Sequence, residues 1–281
     1  MDSFFKINGG TVSARELQVS VLGLGAIGGK VAELLAKGAV PGMSLYSVSA
    51  RNLNKAKMFF QNCQSTPYVL SLDEAIDSAD VVVECLPPDL FNDVANKTLR
   101  QGKVLVPCSI GGVFKNPALI DLARQHSAHL FLPCGALAGL DGVGAASLAG
   151  VKYATLKTEK SAESFGQNKF LEDIGFDTSS LSSPECVYRG GVSEAIKFFP
   201  KNINVAAALC LAGIDEELLS VELWACPGLQ VNRHTVSIQS KAGSLNLVME
   251  NKPDPKNPKT SMITPYSVIS TLSKISSSIS F

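Results

Sequence analysis

An apolar run, three glycines and a helical repeat follow one another without a break in residues 17–38, LQVSVLGLGAIGGKVAELLAKG. LQVSVL suits a strand buried in a parallel sheet. Ile27, Val31 and Leu34–Leu35 then recur at helical spacing, and Gly38 stops the helix. Between strand and helix, Gly23, Gly25 and Gly28 stand as G-x-G-x-x-G. The first glycine makes a tight turn, the second lets backbone approach a phosphate, and the third lets helix and strand pack closely. Ala26 and Ile27 fall at the helix start, where unpaired N–H groups attract a pyrophosphate. The unit calls for an α/β fold that holds a dinucleotide; a glycine turn in an ordinary α/β domain is the alternative.

The continuation carries the same rhythm. MSLYSVSA reads as a second strand and NLNKAKMFFQNC as a helix behind it. SADVVVECLPP, KVLVPCS and AHLFLPCG read as further strands, separated by the helices of DLFNDVANKTLRQG and NPALIDLARQHS. Strands alternating with helices make a doubly wound parallel sheet of Rossmann type. An acid at the end of the second strand would bind the adenosine ribose and repel a 2′-phosphate. Here that segment is SVSARN, in which Ser49, Arg51 and Asn52 follow the strand and no acid appears. Small hydroxyls with an arginine suit a phosphate, so NADP(H) is favoured and NAD(H) stays open. Arg51 as a solvated loop residue is the competing reading. Leu86 and Pro87 follow the strand VVVEC and are placed beside the ribose or nicotinamide, a rigid Pro-Pro turn without contact being the alternative.

Composition removes other classes. With 25 basic and 25 acidic residues the net charge is zero, and no dense basic run offers a surface to nucleic acid or an anionic membrane. The 46% hydrophobic and 18% charged content is that of a globular chain with a substantial core. Seven cysteines without a C-x-x-C are expected as buried free thiols of a reducing compartment. His126, His129 and His234 have no cysteine spacing that would complete a zinc site, so no metal is expected, and the first two are read as structural. No apolar stretch matches a secretion signal or a membrane span, and the expectation is a cytoplasmic protein.

After Cys134 the texture changes. PCGALAGLDGVGAASLAG suits a loop and helix, while LLSVELWACP, NRHTVSIQS and SLNLVMEN alternate as strands with one covered face. The expected division is an extension (1–16), a dinucleotide-binding domain (17–134) and a second α/β domain with a largely antiparallel sheet (135–255). A C-terminal helix (256–281) is expected to pack back on the first domain. GLGAIGG, GALAGLDG, FPKNINVAAALCLAG, the histidine of NRH, and NPKTS occur in the order of the L-aspartate dehydrogenase family, and from about Val19 onward the chain resembles it.

The resemblance implies an NAD(P)-dependent oxidoreductase that interconverts L-aspartate and iminosuccinate, or oxaloacetate plus ammonia, in a second domain that also builds a homodimer contact. It implies cofactor contacts at Ala136 and at one or both of Asn202 and Asn204, with His234 as catalytic residue. An unperturbed imidazole near pKa 6.5 needs only small shifts to exchange protons at neutral pH. In NRHTVSI it shares the face of Val236 and Ile238; a satisfied core histidine is the bland reading. A dicarboxylate substrate calls for cations and hydroxyls, for which Lys201, Lys259, Thr260 and Ser261 are candidates; each reads equally well as a helix-end cation or cap. The chain departs from the family at Cys134, Ala138 and Cys226, and near Ser49 where members often carry an acid. These changes leave two other readings: a related amino-acid or imine oxidoreductase, and a non-catalytic NADP(H)-binding sensor.

Overall fold

The computed structural model describes residues 15–61, 66–166, 168–199, 204–255 and 257–279. The expected extension up to residue 14, Cys63, Lys201 and Asn202 lie outside them.

The first part runs β1 (Leu17–Leu22), α1 (Ala26–Ala36), β2 (Met43–Ser49), α2 (Leu53–Phe59), β3 (Tyr68–Val69), α3 (Leu72–Ser78), β4 (Val81–Glu84), α4 (Phe91–Arg100), β5 (Val104–Pro107), α5 (Ile110–Lys115), α6 (Ala118–Gln125) and β6 (His129–Leu130). Its six strands form one parallel sheet in the order β3-β2-β1-β4-β5-β6. The order reverses between β1 and β4, which opens a crevice at the carboxyl ends of those strands. Residues Val81–Glu84 and Val104–Pro107 are buried throughout, as strands covered on both faces must be. One face packs Val19, Val21, Val83 and Val106 against Val31 and Leu35 of α1. The other packs Leu22, Val82 and Leu105 against Ile76, Leu99 and Leu119.

The second part runs α7 (Leu140–Leu148), β7 (Val151–Ser161), α8 (Lys169–Asp173), β8 (Glu185–Gly190), α9 (Val192–Phe198), α10 (Asn204–Leu211), β9 (Leu219–Cys226), β10 (Asn232–Ser240), β11 (Gly243–Asn251), β12 (Pro253–Asp254), β13 (Asn257–Ser261) and α11 (Thr264–Ser276). Five strands make a mixed sheet, β11-β10-β7-β9-β8, in which only β7 and β9 pair in parallel. Its inner face packs Leu156, Val221, Leu223, Val236 and Ile238 with Val143, Ile196 and Leu209 of the helices.

Two strands of that sheet, β7 and β8, were not expected from the sequence. NPKTS, read as a helix boundary, is the strand β13; the helix starts at Thr264, with Pro265 in its first turn. Val268 and Leu272 of α11 are fully buried in the cluster that contains α1 and β1. The last helix thus belongs to the core of the first sheet. The described cysteines are free, but only Cys226 is buried; the other five are half-buried, so the expectation of buried thiols fails for most of them. Among the described residues no helix is long and apolar enough to cross a membrane, and no cluster of three metal-ligating side chains occurs.

Candidate active site

A cleft of about 1280 Å³ opens at the carboxyl ends of the parallel strands. One wall is the β1–α1 turn, with Gly23, Gly25, Ala26 and Ile27; Arg51 and Asn52 after β2 and Leu86 and Pro87 after β4 continue it. Asn204, Asn257 and Thr260 reach it from the second part of the chain. The three glycines have different physical reasons. Gly23 sits at φ +92°, and a Cβ there would lie 2.4 Å from the Cys85 carbonyl oxygen. A Cβ on Gly28 would stand 1.9 Å from the Gly23 carbonyl oxygen. A Cβ on Gly25 would meet nothing within 4 Å, because that position faces the open cleft. Gly25 caps α1 without a side-chain hydrogen bond, and no acid occupies the first turn. The helix start is therefore left for a pyrophosphate. The cradle fits a dinucleotide.

Ser49 and Gly28 do not line the cleft. Ser49 is buried, and its carbonyl accepts the Gly23 N–H at 2.8 Å. The neighbouring Ser47 hydroxyl is bonded to Ser20 inside the sheet at 2.7 Å. Arg51 is exposed at the cleft edge beside Asn52.

A residue absent from the sequence reading holds this end of the sheet together. Glu84 is fully buried, and its carboxylate accepts from the Leu86 N–H at 2.7 Å and from the Ser109 N–H and hydroxyl at 3.1 and 3.0 Å. Burial raises its pKa, while these bonds pull the other way. It fixes the two turns that carry Leu86 and Ser109 to the cleft. Asn204, the first residue of α10, accepts from the Gly111 N–H at 3.1 Å and donates to the Cys108 carbonyl at 3.2 Å. That amide fastens the second part of the chain to the cleft floor. Ala136 does not line the cleft. Its carbonyl accepts from Asn251 Nδ2 at 2.9 Å, and the adjacent Gly135 N–H donates to Ser267 Oγ of α11 at 3.1 Å.

Beyond Asn204 and Thr260, the inner face of the mixed sheet changes character. Along β7 the inward positions are Ala154 and Leu156, then Thr158 and Lys160; along β10 they are Ile238 and Val236, then His234 and Asn232. With Asn251 and Ser261 these make a group of six buried polar side chains beyond the apolar middle of the face. His234 lies opposite Thr158, and its Nδ1 is 3.0 Å from the threonine hydroxyl. Asn232 Nδ2 donates to Ser261 Oγ at 3.5 Å, one residue from Thr260 at the cleft. Lys259 lies in the same strand, β13.

His234 occupies the covered face with Val236 and Ile238, at 2% exposure, and is not in the cleft lining. Its proton affinity departs from expectation. Burial, and then the charge of Lys160, lower the imidazole pKa to about 3. A cationic ring would lose its hydration there and face a second positive charge, so the ring is neutral at physiological pH. Thr158, Lys160, Asn232 and Asn251 were missed. A lysine at an inward position of β7 looks outward until the pairing of that strand with β10 is seen.

The comparisons with known proteins agree on both halves. A model described as "Homoserine dehydrogenase, NAD binding domain" matches residues 23–133, and one described as "Aspartate dehydrogenase, C-terminal" matches residues 141–275. The L-aspartate dehydrogenase of Bradyrhizobium diazoefficiens is 35% identical over 98% of this chain and 97% of its own. L-aspartate dehydrogenase 3 of Bordetella bronchiseptica is 36% identical over 94% of this chain and 97% of its own. Among solved structures, aspartate dehydrogenase from Thermotoga maritima superposes with a TM-score of 0.70 at 24% identity, covering 94% of this chain and 99% of that one. A hyperthermophilic archaeal homoserine dehydrogenase in complex with NADPH gives 0.59 at 12% identity, covering 92% and 97%. The cleft is that of a nicotinamide dinucleotide, and with near full-length identity above 30% the chain belongs to the aspartate dehydrogenase family of oxidoreductases.

Proposed function

We propose that this chain is an NAD(P)-dependent L-aspartate dehydrogenase that interconverts L-aspartate and iminosuccinate, the latter in exchange with oxaloacetate and ammonia. The observation that supports the reading is the buried polar patch of His234, Thr158 and Lys160, whose neighbour Asn232 bonds Ser261, one residue from Thr260 in the lining of the dinucleotide cleft. The nicotinamide cofactor gives or takes the hydride. In the oxidative direction the substrate ammonium must lose a proton before hydride can leave its carbon. A neutral imidazole accepts that proton, and burial keeps His234 neutral. The Thr158 hydroxyl at Nδ1 fixes the ring and leaves Nε2 for the substrate. A ring at about pKa 3 is a weak base, and a carboxylate arriving beside Lys160 offsets the positive field and raises it toward the working range. In the reductive direction the same ring returns the proton.

Gly25, Ala26 and Ile27 hold the pyrophosphate in this reading, Leu86 and Pro87 flank the nicotinamide, and Arg51 with Asn52 receives a 2′-phosphate. Asn204 and Ala136 brace the junction on which the cofactor lies, with Gly23 and Gly28 shaping the turn and Ser49 supporting it from beneath. Asn202 is retained as a cofactor contact, and Lys201, Lys259, Thr260 and Ser261 as substrate contacts. A cytosolic setting suits free thiols that come as close as 3.4 Å, the distance between the sulfurs of Cys85 and Cys108. A homodimer forms through the outer face of the mixed sheet, where Tyr153 and Val248 are 57% and 62% exposed.

Replacing His234 by Ala tests the assignment. Turnover of aspartate should fall about 10²–10⁴-fold, with cofactor affinity within about threefold of the wild type by fluorescence titration. Unchanged kcat would remove His234 from proton transfer.

A further inference from the structure

We infer that Cys85 and Cys108 form a redox-sensitive modification site: a peroxide oxidises the two thiols to a disulfide, and the disulfide weakens the dinucleotide in the cleft beside them. The inference rests on the dinucleotide cleft alone and not on the substrate assigned to it.

Cys85 follows β4 and Cys108 follows β5, each one residue beyond the paired Glu84 and Pro107. The Cys108 N–H still donates to the Glu84 carbonyl at 2.8 Å, so the two cysteines stand side by side on neighbouring strands. Strands so paired lie about 4.8 Å apart, inside the range of about 4.4–6.8 Å between Cα atoms that a disulfide spans. Their sulfurs are 3.4 Å apart, against about 2.05 Å in an S–S bond. Both residues are half-buried and line the cleft, where a small polar oxidant reaches them from solvent. A sulfur contact in a core would be ordinary packing; one at the cleft wall is open to chemistry.

The thiol of Cys85 is held well above the ordinary range by its contact with Cys108 and then by burial, so it stays protonated and Cys108 supplies the attacking thiolate. The Cys108 sulfur attacks one peroxide oxygen and the O–O bond breaks. The other oxygen leaves as water with the thiol proton, and Cys108 becomes a sulfenic acid. Cys85 then attacks the sulfenic sulfur, and its own proton leaves with the hydroxyl as a second water. The two thiols give up two electrons and the peroxide takes them. A small thiol restores the pair by exchange.

Cys85 is where β4 meets the β1–α1 turn. A Cβ on Gly23 would collide with the Cys85 carbonyl oxygen, and one on Gly28 would stand 3.0 Å from the Cys85 Cβ. With no slack at that contact, drawing Cys85 toward Cys108 moves the turn that cradles the pyrophosphate. The coupling runs both ways, so bound dinucleotide opposes the oxidation.

Purified protein treated with hydrogen peroxide should yield a Cys85–Cys108 cross-link in non-reducing peptide mapping, and saturating NADPH should slow its formation. Fluorescence titration should then give dissociation constants for NADPH and NADH about tenfold higher than in the reduced protein, restored by dithiothreitol. Cys85→Ser and Cys108→Ser each keep a side chain of similar size. Whichever of them folds should show no cross-link and the same dissociation constants before and after peroxide. A wild type that forms no cross-link would overturn the inference. So would a cross-linked protein with unchanged affinity, or a loss of affinity that persists in the serine variants, the mark of damage elsewhere. Because the readout is dinucleotide binding, a failure to turn over oxaloacetate would sink the reaction proposed above and leave this inference standing.

Discussion

At the scale of single residues, His234, the proposed proton-transfer group, also sets a measurable property of the fold. Its pKa is about 3 in the folded chain against 6.5 as the reference, with burial the larger cause and Lys160 the second. The folded value is the lower one. Between them the unfolded chain binds a proton that the folded chain refuses, so stability is complete above about pH 6.5 and is lost as pH falls toward 3. Urea unfolding at pH 7 and 4.5 should show roughly 2–3 kcal/mol of loss in the wild type that is absent in His234→Gln. Parallel profiles would show that the ring is not held neutral by the fold. Arg51 acts at the same scale. Arg51→Ala should weaken NADPH by about 10–100-fold while NADH binding changes little; equal losses for the two would remove its role at a 2′-phosphate.

At the scale of elements, the β1–α1 turn divides its glycines by what surrounds them. Gly28 has carbonyl oxygen where a methyl would go, and Gly25 has open cleft. Gly28→Ala should cost about 2–4 kcal/mol or prevent folding, whereas Gly25→Ala should leave the melting temperature within a few degrees and weaken the dinucleotide. The reverse pattern, measured by thermal unfolding and cofactor titration, would place the ligand elsewhere. This turn was legible in the sequence because local rules govern it: an apolar run, glycines at fixed spacing and a helical repeat are neighbours in the chain. The buried face of β10 was legible too, because His234, Val236 and Ile238 alternate. β7 was not, since its inward positions pass from Ala154 and Leu156 to Thr158 and Lys160, and binary patterning fails where a polar patch replaces core. The helix α3 carried a usable signal that went unread, the capping box of Ser71 and Glu74, with the hydroxyl receiving the Glu74 N–H and the carboxylate receiving the Ser71 N–H.

At the scale of the whole molecule, the site depends on joining distant parts of the chain. Asn204 ties α10 to the β5–α5 turn, Ser267 of α11 takes the Gly135 N–H, and Val268 and Leu272 complete the first sheet's core. Glu84 and Lys160 become visible only at this scale, since a carboxylate after VVV and a lysine in TEK read as surface charges until pairing buries them. The mixed sheet has one apolar face filled by helices and an outer face with exposed Tyr153 and Val248. Light scattering at micromolar concentration should give twice the chain mass of 29.7 kDa, and Val248→Lys should reduce it to one. A wild-type monomer would contradict the proposed contact.

In the proposed reaction, hydride passes between the dinucleotide in the cleft and an amino-acid carbon beside His234. The most direct measurement is NADPH and NADH oxidation by the purified protein with oxaloacetate, with and without ammonium, beside a panel of other 2-oxo acids. Turnover should depend on ammonium, be fastest with oxaloacetate and be faster with NADPH than with NADH. Dinucleotide binding without turnover of any 2-oxo acid would contradict it and leave a protein that binds the cofactor without using it.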